Sequence, residues 1–299
     1  MAREPAARSA RASAPRSGSA SGRWWRTLRI AYWLGWQIET NWTDPLLFFI
    51  YSLAKPLGGV LILVFMYFVV ARGGQGPMLG FFVVGTALWP FVLRGMMGIA
   101  WGLISDREHW RTLRSIYSAP ISFRAYLIGR SLAQATSAVA PAVITLLFGR
   151  YVLGVPLHLA SIDGWYSTAA MLVGIAGIVA LGLAVVSAAM LISGEAWRMP
   201  EGVGAALYLI SGAIFPVTTL PGWLQPAAQV FPLTWWLEAM RRGLLGPDAM
   251  KSFSWAGADQ VLLYQTLVTV VWIVLASVAF GVAEQRARQL GILDQESAY

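Results

Sequence analysis

The sequence predicts an all-α integral membrane protein: six transmembrane helices, an N-terminal helix lying in the membrane interface, a short cytoplasmic helix after span 2, and a broken re-entrant outer hairpin between spans 5 and 6. Three observations carry this expectation. The 299 residues are 57% hydrophobic and 12% charged, with a mean hydropathy of +0.61, far too apolar for a soluble domain. Apolar runs long enough to cross a ~30 Å hydrocarbon layer recur along the chain. The Lys and Arg residues, 22 against 14 acidic ones, gather in alternate connections, as membrane topology requires. That topological cause removes the need to invoke nucleic acid. With no Cys and two separated histidines, His109 and His158, the chain has no thiol chemistry and little from which to build a metal centre.

Residues 1–22 are Ala, Arg, Ser and Pro with no apolar run, the composition of a disordered basic tail. An organellar transit peptide is the alternative reading of the same composition. Residues 23–44 form the interfacial amphipathic helix: Trp24, Leu28, Ala31, Tyr32 and Gly35 fall on one side, with Arg26, Arg29, Gln37 and Thr40 opposite or flanking. A six-span domain then occupies 45–288, and 289–299 form a cytoplasmic C-terminal tail. The apolar runs are Leu46 to Ala71, Met78 to Ile104, Ala125 to Leu153, Trp165 to Ile192, Val203 to Phe215 and Asp259 to Ala283. The fifth is short. With both termini inside, the inner segments hold Arg107, Arg111, Arg114, Arg124, Arg130, Arg198, Arg286, Arg288 and the N-terminal arginines, while the outer ones hold only Arg72, Arg150, Arg241, Arg242 and Lys251. This asymmetry places both termini in the cytoplasm of a cell (inner or plasma) membrane protein.

Two connections stand out. Ser105 to Arg130 is a polar, basic insert between two apolar runs. Read as a helix, it puts Trp110, Leu113, Ile116 and Tyr117 on one arc and Arg107, Arg111 and Arg114 on the other, until Pro120 stops it. A cytoplasmic helix of this shape is suited to dock a soluble partner. Ser211 to Gly246 carries Pro216, Pro221, Pro226 and Pro232, which forbid one continuous helix. Its Trp223, Trp235 and Trp236 are too apolar for bulk water, so short half-helices dipping into the outer leaflet reconcile the two facts.

These stretches resemble the permease subunits of the type 2 exporter family of ABC transporters. In that family the loop after span 2 carries a charged lead followed by a Thr-Leu, apolar and Pro pattern. Here Arg107 and Glu108 supply the lead, with Thr112, Leu113, Ile116 and Pro120 following. Arg111 stands where the family usually has Gly, and Arg114 where it often has an acid. The second motif matches at Ser211, Gly212, Phe215, Pro216, Leu220, Pro221, Trp223, Leu224, Pro232, Leu233, Thr234 and Arg241. The resemblance covers about Trp24 to Arg288. It implies a permease that dimerises, with a second copy or a related permease, and pairs with a separate ATPase subunit. It implies that the insert is the coupling helix, contacting that ATPase through Arg107, Glu108, Trp110, Arg111, Leu113, Arg114 and Tyr117. It implies an outer gate built from Phe215, Pro216, Pro221, Trp223, Pro232, Glu238 and Arg241. No Gly-x-x-x-x-Gly-Lys-Ser/Thr loop occurs in the chain. The chain is therefore expected to bind no cofactor and to be no enzyme by itself, with ATP and magnesium on the partner.

Arg94 is a candidate for a translocation path because a charge inside an apolar run costs ~3 kcal/mol on insertion scales, and Trp89 is a candidate as an aromatic lining of a hydrophobic path, with packing or lipid contact as its alternative. The alternative for Arg94 is pairing with a neighbouring acid or carbonyl. Lys55 can snorkel to an interface. Glu238 is spaced to pair with either Arg241 or Arg242, and structural pairing at the outer surface is the default reading. The run from Gly174 to Gly182 and that from Gly202 to Ala206 permit close helix approach. A lipid-modifying membrane enzyme needs His or carboxylates clustered at one depth, and a secondary transporter needs midplane acids or repeat halves; the sequence shows neither. The apolar, aromatic character favours export of an amphipathic or hydrophobic substrate (drug, antibiotic or lipid-like), with a lipid-linked glycan or polysaccharide as the alternative.

Overall fold

A computed structural model describes residues 20–40, 50, 54, 57–62, 64–65, 77–109, 112–157, 163–192, 198–246 and 249–291. Among these residues the fold is all-helical. Helix α1 spans Ala20–Thr40 and α2 Pro77–Ile104, the latter continuing into a π-helical turn, Ser105–His109. Then follow α3 (Leu113–Ser118), α4 (Phe123–Ser137), α5 (Val139–Tyr151) and α6 (Gly164–Ala189). The C-terminal third holds α7 (Arg198–Ile210), a 3-10 turn (Val217–Thr219), α8 (Leu224–Gln229), α9 (Pro232–Leu245) and α10 (Ala258–Leu290).

Among the described residues, four stretches are long and apolar enough to cross a membrane: Met78–Arg107, Phe123–Tyr151, Gly164–Ala189 and Ala258–Leu290. The second, third, fourth and sixth expected spans coincide with them. Most of the first expected span, Lys55 included, lies outside the described residues. The fifth differs: the described part of this run, α7, has 13 residues, about 20 Å at 1.5 Å per residue, against a ~30 Å hydrocarbon layer. It ends where Gly212 takes φ +78, a turn that favours glycine, and Pro216 follows.

Local chemistry sets several helix ends. The Ser122 hydroxyl accepts from the Ala125 amide at 3.5 Å to open α4, and the Asp163 carboxylate accepts from the Tyr166 amide at 3.0 Å to open α6. Pro232 occupies the first turn of α9, where its missing N–H costs nothing. Gly291 ends α10 in the left-handed region at φ 65.

Packing follows the small residues. The face of α1 formed by Thr27, Ala31 and Gly35 is buried and lies on α4, where a side chain at Gly129 would strike the Leu28 carbonyl and Ala31. Helix α6 packs on both α2 and α10. One apolar cluster fills the middle of the bundle around Phe91, Ile178 and Trp236. A second, at the insert end, unites Ala31, Ile99, Leu113, Phe123, Leu127 and Phe280 from five helices. By contrast α10 exposes Leu267, Val271, Val274 and Val278, an outward face suited to lipid contact.

Candidate functional site

The insert and the hairpin occupy opposite ends of the bundle. Residues of the insert meet the end of α2, the start of α4 and the end of α10, whereas the hairpin meets the starts of α2, α6 and α10.

At the insert end, the expected single amphipathic helix is divided. The chain leaves α2 through the π-helical turn, and the next described helix, α3, begins at Leu113 after the non-helical Thr112. The reason is a buried polar knot at Asp106, which one more apolar residue at this point would have lacked. Arg130 Nη1 donates to both Asp106 oxygens at 3.0 and 2.9 Å, and the Tyr126 hydroxyl donates to Asp106 Oδ2 at 2.8 Å. The Asp106 carbonyl accepts from the Thr112 amide at 2.9 Å, closing the turn. Arg107 and Leu113, expected to face a partner, are buried at 7% and 3% exposure. Tyr117 is half-buried against Phe123 with ring centroids 4.6 Å apart, and the Arg288 guanidinium lies 4.8 Å from its ring. Burial pushes its hydroxyl above the ordinary tyrosine range; Glu284 acts in the same direction and Arg288 against it. Trp110 and Arg111, and the side chains of Glu108 and Arg114, lie outside the described residues.

Beside the knot is a cavity of about 500 Å³. Leu34 and Ile38 of α1 form one wall and Ile116, Ala119 and Ile121 of the insert the other. Asp106, Tyr126 and Arg130 line its floor. Their charges are already satisfied by one another, so the floor is polar but close to neutral.

At the other end the hairpin is pinned by two arginines with different partners. Glu238 is 1% exposed. Its partner is Arg242, four residues on, at 2.8 Å, and not Arg241. Arg242 also donates to the carbonyls of Ala256 at 2.6 Å and Phe253 at 2.7 Å, while Glu238 Oε2 accepts from the Ser252 amide at 3.1 Å. Arg241, about 100° round α9 from Arg242, donates to the carbonyls of Gly212 at 2.7 Å and Ala213 at 3.2 Å, with its guanidinium 3.4 Å from the centre of the Phe81 ring. A Cβ at Gly85 would collide with the Ala213 carbonyl, so this close approach of α2 requires glycine.

The depth of the hairpin can be read from its neighbours. Pro232 packs at Gly177 and Trp236 at Gly174, in the middle of α6, whereas Leu245 packs at Gly80 near the start of α2. Trp272, midway along α10, donates to the Val230 carbonyl at 2.8 Å, and Phe231 stacks on it. Helix α9 therefore begins halfway down the bundle and climbs back to its end. Of the other gate candidates, Pro216 is buried, Phe215 half-buried, and Pro221 and Trp223 are exposed.

Trp89 is buried, with its ring 4.5 Å from that of Tyr208. Arg94 is paired: it donates to Glu39 at 3.0 Å and to the Ser137 hydroxyl at 2.6 Å, tying α2 to α1 and α4. Sequence reasoning left out Glu39, Asp106, Tyr126 and Phe280. The available signal for Asp106 was an acid at the end of a long apolar run; Glu39 and Phe280 gave none, because their roles depend on the helices they meet.

Residues 70–280 match the sequence profile of a family described as "ABC-2 family transporter protein". No curated protein matches the chain.

Proposed function

Because the chain belongs to the ABC-2 family of transporter proteins, we propose that it is the membrane-spanning permease subunit of an ATP-driven exporter. A separate ATPase subunit drives it, and it moves an amphipathic or hydrophobic substrate out of the cytoplasm as one half of a dimer. The observation that carries the reading is the family match over more than half of the chain, spanning both the insert and the hairpin. The geometry supports the division of labour. The insert, at the cytoplasmic end, takes the stroke of the ATPase as it closes on ATP and magnesium. The hairpin re-enters the outer leaflet and gates the far end, with Glu238, Arg241 and Arg242 fixing it to α2 and to the loop before α10. Phe215, Pro216, Pro221, Trp223 and Pro232 shape the breaks that let it dip and return.

The stroke reaches the spans by rigid contacts. Asp106, held by Arg130 and Tyr126, joins the insert to α2 and α4; Tyr117 and Phe123 join it to α10 through Arg288 and Phe280. Trp89 and Arg94, inside the second span, line the path in this reading, with Glu39 compensating the charge of Arg94. To test it, the chain is expressed with candidate ATPase subunits, reconstituted in proteoliposomes and assayed for ATP-dependent movement of fluorescent amphiphiles. ATP-dependent export by a co-purifying pair is the expected result. A chain that associates with no ATPase, or that moves amphiphiles equally without ATP, would sink the reading.

A further inference from the structure

Four polar atoms that find no partner among the described residues line up where α6, α9 and α10 meet. They are Ser167 Oγ, Gln265 Oε1, Trp236 Nε1 and Thr269 Oγ1, all shielded from solvent. Ser167 Oγ faces Gly243 of α9, where an added Cβ would lie 2.3 Å from it. Trp236 Nε1 lies over Gly174 of α6 and Thr269 Oγ1 over Gly177, with corresponding distances of 2.2 and 3.2 Å. Gln265 is anchored at Ala170, whose carbonyl accepts from its Nε2 at 2.8 Å, and this leaves Oε1 as the unused acceptor. The four atoms thus meet α6 at Ser167, Ala170, Gly174 and Gly177. At 100° and 1.5 Å per residue these positions fall within about 80° of one another and follow at steps of about 4.5–6 Å. They form one row along one face.

A buried donor or acceptor left unpaired is costly, and here four stand in sequence, with Gln265 and Trp236 at 0% and Thr269 at 2% exposure. Their chemistry defines what satisfies them. The indole N–H only donates, the amide oxygen only accepts, and the two hydroxyls do both, so each occupant must donate and accept within one small unit. None of the four is charged, so an ion would find no counter-charge among them. The step along the row equals two hydrogen bonds of about 2.8 Å laid end to end, the span bridged by one water molecule. We infer that a file of ordered water molecules occupies the seam between α6, α9 and α10. It enters near Ser167, three residues into α6, and ends at Thr269 beside Gly177 and Pro232, where α9 begins. The hairpin helix is therefore seated on this side through water-mediated contacts, which are nearly as favourable as direct ones and exchangeable. When α9 shifts against α6, these polar atoms change water partners and are not stranded. The inference stands on the fold alone and not on the permease reading.

X-ray hydroxyl-radical footprinting of the full chain in nanodiscs tests this on the unmodified protein, because radicals formed from a buried water oxidise the side chain beside it. Trp89, buried at 7% exposure and outside the seam, is the internal control. The expected result is oxidation of Trp236 at least fivefold faster than that of Trp89. Thr269→Val and Gln265→Met should each slow the oxidation of Trp236 at least threefold. Melting temperature supplies a second reading with a definite sign. Thr269→Val replaces a hydroxyl with a methyl group of nearly the same shape, so it lowers the melting temperature if the hydroxyl binds water and raises it if the hydroxyl is stranded in a dry seam. A Trp236 no more reactive than Trp89, or a raised melting temperature in T269V, would overturn the inference. So would rapid oxidation of Trp236 that neither substitution slows, since the water would then lie outside the row.

Discussion

At Glu238 both carboxylate oxygens are occupied, one by Arg242 and one by the Ser252 amide, and the side chain is 1% exposed. Removing one member of such a pair strands the other charge, a loss of about 3–5 kcal/mol. Glu238→Ala should therefore lower the melting temperature in detergent markedly. The double variant Glu238→Ala/Arg242→Met should lose less than the sum of the two single changes, since no charge remains stranded. Strict additivity would show that the two residues do not act as a unit. Arg94 gives the contrasting case. It and Glu39 keep 28% and 25% of their side-chain surface, so the pair is less enclosed by protein than Glu238 and Arg242, and its loss costs less than the about 3–5 kcal/mol of a fully buried pair. Arg94→Met should shift the melting temperature little; if Arg94 also lines the path, substrate transport falls in the same variant without loss of stability. The two arginines thus separate by magnitude: one is a pin of the fold, the other is free to serve function.

Among elements, α1 attaches to α4 through close approaches at two glycines, Gly35 and Gly129. Gly129 lets α1 approach α4 so closely that any side chain there meets backbone. Gly129→Leu should loosen α1, and trypsin cleavage after Arg23, Arg26 and Arg29 should then accelerate several-fold relative to cleavage elsewhere. An unchanged digestion pattern would mean that α1 is held by the membrane alone. This element also shows what the sequence could and could not convey. The Ala31 and Gly35 face of α1 and the long apolar runs of α2, α4 with α5, α6 and α10 follow from period and length, because burial in a lipid-spanning helix leaves its record in composition. The fifth run already read as short, but where α7 ends was hidden, since the apolar run continues past Ile210 into residues that turn rather than climb. The division of the insert was hidden as well. Helical period describes residues one against another, whereas the break at Asp106 is set by Arg130 and Tyr126, some twenty residues later in the chain. Glu238 illustrates the same point: spacing allowed Arg241 or Arg242, and only the positions of Gly212, Phe253 and Ala256 decide between them.

For the whole molecule, the question is how an event at the insert reaches a hairpin at the far end of the bundle. Contacts from the insert run in two directions. Asp106 grips α4 through Arg130, and Phe123, 6.1 Å from Phe280 between ring centres, grips α10; Arg124 adds its guanidinium 5.2 Å from the same Phe280 ring. Helix α10 is one continuous rod of 33 residues, and midway along it Trp272 holds the hairpin at Val230 and Phe231. A rigid helix with two such attachments has the form of a lever, whereas α4 and α5 meet at a joint at Ala138 that can absorb motion. The route through α10 should therefore carry most of the signal to the hairpin. A fluorophore on Ser254→Cys, an exposed position beside the hairpin, should change its emission when ATP and magnesium are added to the complex. Phe280→Ala should reduce that response by at least half while the ATPase remains bound, and Trp272→Ala should do the same from the other attachment. A full response in both variants would mean that the far end is moved through α2 and α4 instead, and that α10 serves only to face the lipid.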